Sequence, residues 1–185
     1  MLPRRKTFQS PGVADVDKYL ENRSNQTARA NEVHQAMVLA AGEGTRLRPL
    51  TLHTPKVLLP VGNNRPLIVY ILSWLKFHGI DEVTINLHYL GDKIKAFLDD
   101  GSRYKIKVSY SPEPAILGTA GGVKRLENFF DGTFVVVYGD ILTDFNLKDM
   151  ILFHRRKKAI ATLAIVKVSM LKMSGLLRWM TMVEL

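Results

Sequence analysis

Arg46 and Lys56 stand after a glycine loop, Gly42-Glu43-Gly44-Thr45, that an apolar run from Ala36 to Leu39 leads into. Glycine lets the backbone adopt positive φ and approach a ligand closely. Successive N–H groups in such a loop make a concave anion site, and guanidinium and ammonium groups add cationic donors for phosphate. The pattern reads as a phosphate cradle at the carboxyl end of a strand. It is neither of the two commonest phosphate loops. A dinucleotide fingerprint needs a third glycine where Leu47 stands, and no Gly-Lys-Ser/Thr of the Walker type occurs. A plain strand-to-helix turn is the alternative for an isolated Gly-x-Gly.

A second candidate is Asp140, which follows the all-apolar run Phe134 to Tyr138 and Gly139. A carboxylate there is suited to a hard divalent ion, or to capping a turn or helix. Asp144 reads as a cap of the next helix or a solvated acid. The histidines at 34, 53, 78, 88 and 154 lack metal-ligand spacing and read as surface or packing residues. The chain has no cysteine, which excludes disulfides, Cys-based zinc and thiol nucleophiles. No serine sits in a nucleophile elbow.

The elements that must position these groups alternate between two periods. Strands are expected at Met37–Leu39, Val83–Leu87, Ile106–Tyr110, Phe134–Tyr138 and Ile160–Val168. Helices are expected at 67–78, apolar nearly all round and deeply buried, at Asp92–Leu98, from Gly118 to Phe129 after a glycine-rich turn, and at Leu147–Lys157. Gly79 ends the first of these. Strands separated by helices predict a mostly parallel sheet covered on both faces. Ligands of such sheets bind beyond the carboxyl ends of the strands. The Gly42–Arg46 loop and Asp140 each follow a strand directly, so they should converge there.

The net charge of +9 is unevenly spread. Residues 1–35 hold six Lys/Arg against four Asp/Glu, residues 154–185 seven against one, and the intervening stretch thirteen against twelve. The motif-bearing region is nearly neutral, which argues against a nucleic-acid surface there. Arg155-Arg156-Lys157-Lys158 suits the negative end of a helix dipole. The basic start is not followed by an apolar run, and Leu67–Leu75 is too short to span a bilayer. A cytoplasmic protein, with no membrane or nucleic-acid partner, is the expectation.

The segment Leu39-Ala-Ala-Gly-Glu-Gly-Thr-Arg-Leu-Arg-Pro-Leu-Thr51, followed by Thr54-Pro55-Lys56, resembles the sugar-1-phosphate nucleotidyltransferases, closest to the mannose-1-phosphate guanylyltransferase type. Pro66-Leu67-Ile68, Glu113 to Gly122 and Val137-Tyr138-Gly139-Asp140 match in order, so the resemblance runs from about Gln35 to Val168. It implies a Rossmann-like three-layer α/β sandwich and the transfer of a nucleotidyl group from a nucleoside triphosphate to a sugar 1-phosphate with release of pyrophosphate. It further implies Mg2+ at Asp140, and backbone amides of Gly42, Gly44 and Thr45 around the triphosphate. Arg46 would stabilise the transferring phosphate and leaving pyrophosphate, and Lys56 would bridge phosphate oxygens. Leu39 and Ala40 would pack near the base, with Gly118 and Thr119 near base and ribose. Glu113 would read a base edge or stand as an exposed loop acid. Leu117 to Gly122 resembles the guanylyl version, which points to GTP and mannose 1-phosphate. Glucose-1-phosphate thymidylyl or uridylyl transfer and a catalytically inactive nucleotide-binding module are the alternatives. Homo-oligomerisation is compatible with the resemblance.

Residues 1–35 are expected to be a polar, poorly ordered extension, apart from a short helix at Val16–Arg23. Residues 36–168 would form the amino-terminal part of the transferase domain. The resemblance stops after Val168, so the domain is incomplete at its C-terminus and 169–185 reads as an aberrant tail. Four of the seven methionines fall there, at 170, 173, 180 and 182, without an element signal. Codons for Trp179 to Glu184, read one frame over from the last G of the Trp codon, give Asp-Asp-x-Gly, a hairpin signal. A frameshift is therefore expected at this tail, and nucleotide sequence across the region tests it.

Overall fold

The computed structural model describes residues 32–165 and the backbone of 180–183. The Val16–Arg23 helix and the tail before Met180 lie outside these residues. In chain order the elements are strand β1 (Gln35–Leu39), the short strands β2 (Pro60–Val61) and β3 (Arg65–Pro66), helix α1 (Leu67–Phe77), β4 (Glu82–Leu87), α2 (Gly91–Leu98), β5 (Lys107–Pro112), α3 (Gly118–Arg125), β6 (Phe134–Tyr138), α4 (Leu147–Lys157), β7 (Ala161–Ala164) and β8 (Met180–Val183). The main sheet runs β5-β4-β1-β6-β8-β7. β5, β4, β1 and β6 are mutually parallel, while β8 runs antiparallel between β6 and β7.

Alternation along β1 and β6 builds the layers, because successive side chains of a strand point to opposite faces. Ala36, Val38, Val135 and Val137 turn to one face and pack with Ile68, Leu72 and Leu75 of α1, Ile94 and Leu98 of α2, and Leu147 and Ile151 of α4. Met37, Phe134 and Val136 turn to the other and pack with Phe130 and with Val123, Leu126 and Phe129 from α3 and the turns that follow it. The result is the expected three-layer α/β sandwich with a mostly parallel sheet.

Differences from the sequence reading have local causes. α1 is buried on one face only, and its Phe77 is 80% exposed, because the helix lies on the sheet with no further layer over it among the described residues. α3 stops at Arg125 and continues as turns rather than as helix to Phe129. The fold begins before residue 36, since Val33 is already in the core and Gln35 opens β1. The cap of α4 is Asn146, whose side chain accepts from the Lys148 N–H at 3.0 Å, while Asp144 stays exposed. β2 and β3 form a small antiparallel pair too short for a period to reveal. In the tail, where no element is expected, Met180–Val183 is a strand.

Candidate functional site

The parallel pairing of β1 with β6 decides where the chemistry lies. Leu39 and Tyr138 are register partners at the carboxyl ends of these strands, and Gly139 N–H donates to the Leu39 carbonyl at 2.9 Å. The glycine loop and Asp140 therefore leave the sheet side by side. A cavity of about 290 Å³ opens there. Its lining includes Leu39, Ala40, Gly42, Gly44, Thr45, Arg46, Lys56, Glu113, Gly118, Thr119 and Asp140. Every residue that the resemblance assigns to the site thus lines one space.

Gly44 makes the turn possible. It sits at φ +65°, and a Cβ there would lie 2.9 Å from Thr51 Cγ2 and 3.3 Å from Lys56 Cβ. Thr51, fully buried, donates from its hydroxyl to the Gly44 carbonyl at 2.9 Å. The segment behind the turn is tied from outside. Tyr89 Oη donates to the carbonyls of Thr51 and Leu52 at 3.2 and 3.0 Å, and Lys93 Nζ donates to the His53 carbonyl at 2.5 Å. Arg46 itself is exposed on a single 3-10 turn, Thr45–Leu47. It is available to a ligand in the cavity.

Lys56 and Asp140 meet across the cavity, with Nζ 2.5 Å from Oδ2 and side chains 24% and 19% exposed. Val57, buried in the core, and buried Pro55 hold the lysine's turn in place. Among the described residues no group of three or more His, Asp and Glu is placed to hold a metal. Mg2+, however, is commonly bound through one or two carboxylates together with substrate phosphates. The Asp140 carboxylate, with Lys56 and Arg46 lining the same cavity, fits an ion shared with a phosphate ligand.

Glu113 is not the exposed loop acid of one sequence alternative. It is 3% exposed, and each carboxylate oxygen accepts an internal hydrogen bond, Oε1 from Asn86 Nδ2 at 2.9 Å and Oε2 from Leu117 N–H at 3.0 Å. Asn86 in turn accepts the Ala40 N–H on Oδ1 at 2.7 Å. Sequence reasoning missed Asn86 and Tyr138, which also line the cavity. The Tyr138 hydroxyl lies 3.3 Å from Thr119 Oγ1. In the strand Val83-Thr84-Ile85-Asn86-Leu87 the asparagine is one of two polar residues, and nothing in the sequence sets its role apart from that of Thr84. A larger cavity of about 870 Å³ lies between α1 and the 141–148 segment, lined by Tyr70, Trp74, Phe77 and Leu142 among others. It contains none of the phosphate-binding candidates.

A family model described as nucleotidyl transferase matches residues 35–178. The chain is 40% identical to a UTP–glucose-1-phosphate uridylyltransferase of Synechocystis over 141 residues, covering 70% of this chain and 36% of the relative. It is 50% identical over 112 residues to an N-acetylmuramate α-1-phosphate uridylyltransferase of Neisseria meningitidis, covering 60% and 48%. A mannose-1-phosphate guanylyltransferase of Mycobacterium tuberculosis is 37% identical, with 72% and 37% covered. Among solved structures, HddC from Yersinia pseudotuberculosis superposes with a TM-score of 0.66 at 24% identity, over 74% of this chain and 60% of that one. The chain spans roughly a third to a half of the length of these curated relatives.

Proposed function

The chain belongs to the nucleotidyl transferase family, and we propose that its cavity binds a nucleoside triphosphate for transfer of the nucleotidyl group to a sugar 1-phosphate. The observation that carries this reading is the Lys56–Asp140 pair facing the Gly42–Arg46 loop across one cavity at the ends of two adjacent parallel strands. A phosphate chain laid between them meets amides on one side and a lysine and carboxylate on the other.

Transfer at the α-phosphorus needs alignment of the attacking oxygen and stabilisation of charge on the phosphate oxygens, with little covalent work from protein. The glycine loop supplies amides for the triphosphate, and Arg46 supplies donors to the transferring phosphate and the departing pyrophosphate. Lys56, paired with Asp140, would bridge phosphate oxygens. Asp140 would hold a divalent ion, Mg2+ in this reading, which would supply charge neutralisation at the phosphate oxygens. Leu39, Ala40, Gly118 and Thr119 form the walls for base and ribose.

UTP is one nucleotide for this reading, supported by two uridylyltransferase relatives at 40% and 50% identity, beside several mannose-1-phosphate guanylyltransferases at 34–37%. GTP with mannose 1-phosphate is the second reading, carried by Leu117-Gly118-Thr119-Ala120-Gly121-Gly122 and by the guanylyltransferase relative. Dissociation constants for UTP, GTP and dTTP with Mg2+, and pyrophosphate release with matching sugar 1-phosphates, test both. Asp140→Asn and Arg46→Ala should each weaken Mg2+-dependent nucleotide binding about tenfold or more, the size of a lost charge-assisted contact. Unchanged binding in both variants contradicts the reading.

A further inference from the structure

We propose that Asn86 is a positioning residue whose carboxamide sets the separation between the two walls of the nucleotide cavity. The inference rests on reading that cavity as a nucleotide site. One wall is the chain leaving β1, which begins at Ala40 and continues into the glycine loop. The other is the loop between β5 and α3, from Glu113 to Leu117, with the first residues of α3, Gly118 and Thr119. Asn86 stands between them near the end of β4, 3% exposed, opposite Leu39 on one side and Ser111 on the other.

Its two polar atoms reach both walls. Oδ1 accepts the Ala40 N–H at 2.7 Å, and Nδ2 donates to Glu113 Oε1 at 2.9 Å. Glu113 passes the constraint on, because its Oε2 accepts the Leu117 N–H at 3.0 Å, one residue before α3 opens at Gly118. The amide orientation follows from the partners. A backbone N–H needs an acceptor and a carboxylate needs a donor, so only one of the two flips satisfies both. α3 rests directly on the pair, since a Cβ on Gly122 would lie 3.0 Å from Glu113 Oε1 and 3.4 Å from Asn86 Nδ2. Buried polar groups without partners are costly, so the chain closes in one register only when all three bonds form. A small error in the spacing of two ligand walls is magnified in binding and alignment.

Few residues can take this place. Aspartate at 86 accepts from Ala40 but sets a second carboxylate against Glu113, and glutamine at 113 leaves a donor facing either Nδ2 or the Leu117 N–H. The double exchange Asn86→Asp with Glu113→Gln is different. It reverses donor and acceptor between the two side chains and restores all three hydrogen bonds.

The test is calorimetric titration of the full chain with UTP and Mg2+, alongside amide hydrogen exchange at Ala40 and Leu117 in the free protein. Asn86→Asp and Glu113→Gln should each weaken UTP binding about tenfold and speed exchange at both amides. The double variant should bind within about threefold of the original chain and recover slow exchange, a coupling that only contacting residues show. If either single variant fails to fold, recovery of fold and binding in the double variant is the decisive comparison. Singles that bind like the original chain, or a double variant no better than the singles, overturn the proposal. An original chain that binds neither UTP nor GTP in the same titration refutes the nucleotide reading itself. The exchange measurement then judges the pair alone, and unaltered exchange in both singles overturns it.

Discussion

Two glycines two residues apart do different work, and the difference is measurable. Gly44 adopts φ +65° with Thr51 and Lys56 pressed against the place of a side chain. Gly42 has no heavy atom within 4 Å of that place, and it lines the cavity. Gly44→Ala should therefore destabilise the fold by about 1–3 kcal/mol through backbone strain and crowding. Gly42→Ala should leave stability within about 0.5 kcal/mol and still weaken nucleotide binding, because the methyl group enters ligand space. Urea midpoints and nucleotide titrations on the two variants check both statements. Loss of stability without loss of binding in Gly42→Ala would contradict the assignment of that glycine to the ligand. The glycine, arginine and lysine types announce phosphate chemistry without any structure. Asn86 does not announce itself, since its meaning depends on which strands flank β4 and in what register.

At the scale of elements, the strand starts opposite the cavity carry a polar row that fixes register. Gln35, Glu82 and Lys107 are partners across β1, β4 and β5. Gln35 Nε2 donates to Glu82 Oε2 at 3.3 Å and to the Phe129 carbonyl at 3.0 Å, and Lys107 Nζ donates to Glu82 Oε1 at 3.2 Å. Burial alone would raise the Glu82 carboxyl. The hydrogen bonds from Gln35 and Lys107, with the charges of Lys107 and His34, outweigh it and hold the group below its ordinary 4.5. A carboxyl depressed on folding stabilises the folded state above its unfolded pKa and loses that contribution as pH falls through the folded value. Stability measured by urea should thus fall below about pH 4.5, and Glu82→Gln should flatten that part of the profile. An identical profile in the variant would remove Glu82 from the account. The identities of β1, β4 to β7 and the four helices were readable from period and glycine placement. The short β2–β3 pair and the strand at Met180–Val183 were not. Two residues are too few to show alternation, and Met180-Thr181-Met182-Val183 acquires its place by pairing with Ala161–Ala164 on one side and with Phe134, Val135 and Val136, almost fifty residues away in the chain, on the other.

For the whole molecule, the parallel order β5-β4-β1-β6 brings segments a hundred residues apart to one edge. That convergence was legible because Gly42 and Asp140 each follow an apolar strand. The choice between the two cavities was not legible, since cavity size is a property of packing and not of motif. The larger space by α1 is walled by Tyr70, Trp74 and Phe77, with Trp74 Nε1 donating to the Phe145 carbonyl at 3.2 Å. Trp74→Ala should lower stability by about 2 kcal/mol, part of the cost of emptying a half-buried aromatic site. It should leave nucleotide affinity within about twofold, as expected for distant independent sites. Thermal melting and calorimetry on that one variant separate the two roles. A collapse of nucleotide binding with the fold intact would place the ligand by α1 instead.

The most direct measurement is paramagnetic line broadening of backbone amides on titration with a nucleoside triphosphate and Mn2+ in place of Mg2+. Broadening should centre on Gly139 and Asp140, reach Lys56 and the Gly42–Arg46 loop, and disappear in Asp140→Asn. Broadening centred on Tyr70, Trp74 and the 141–148 segment, or unchanged in that variant, would contradict a phosphate chain lying between the glycine loop and Asp140.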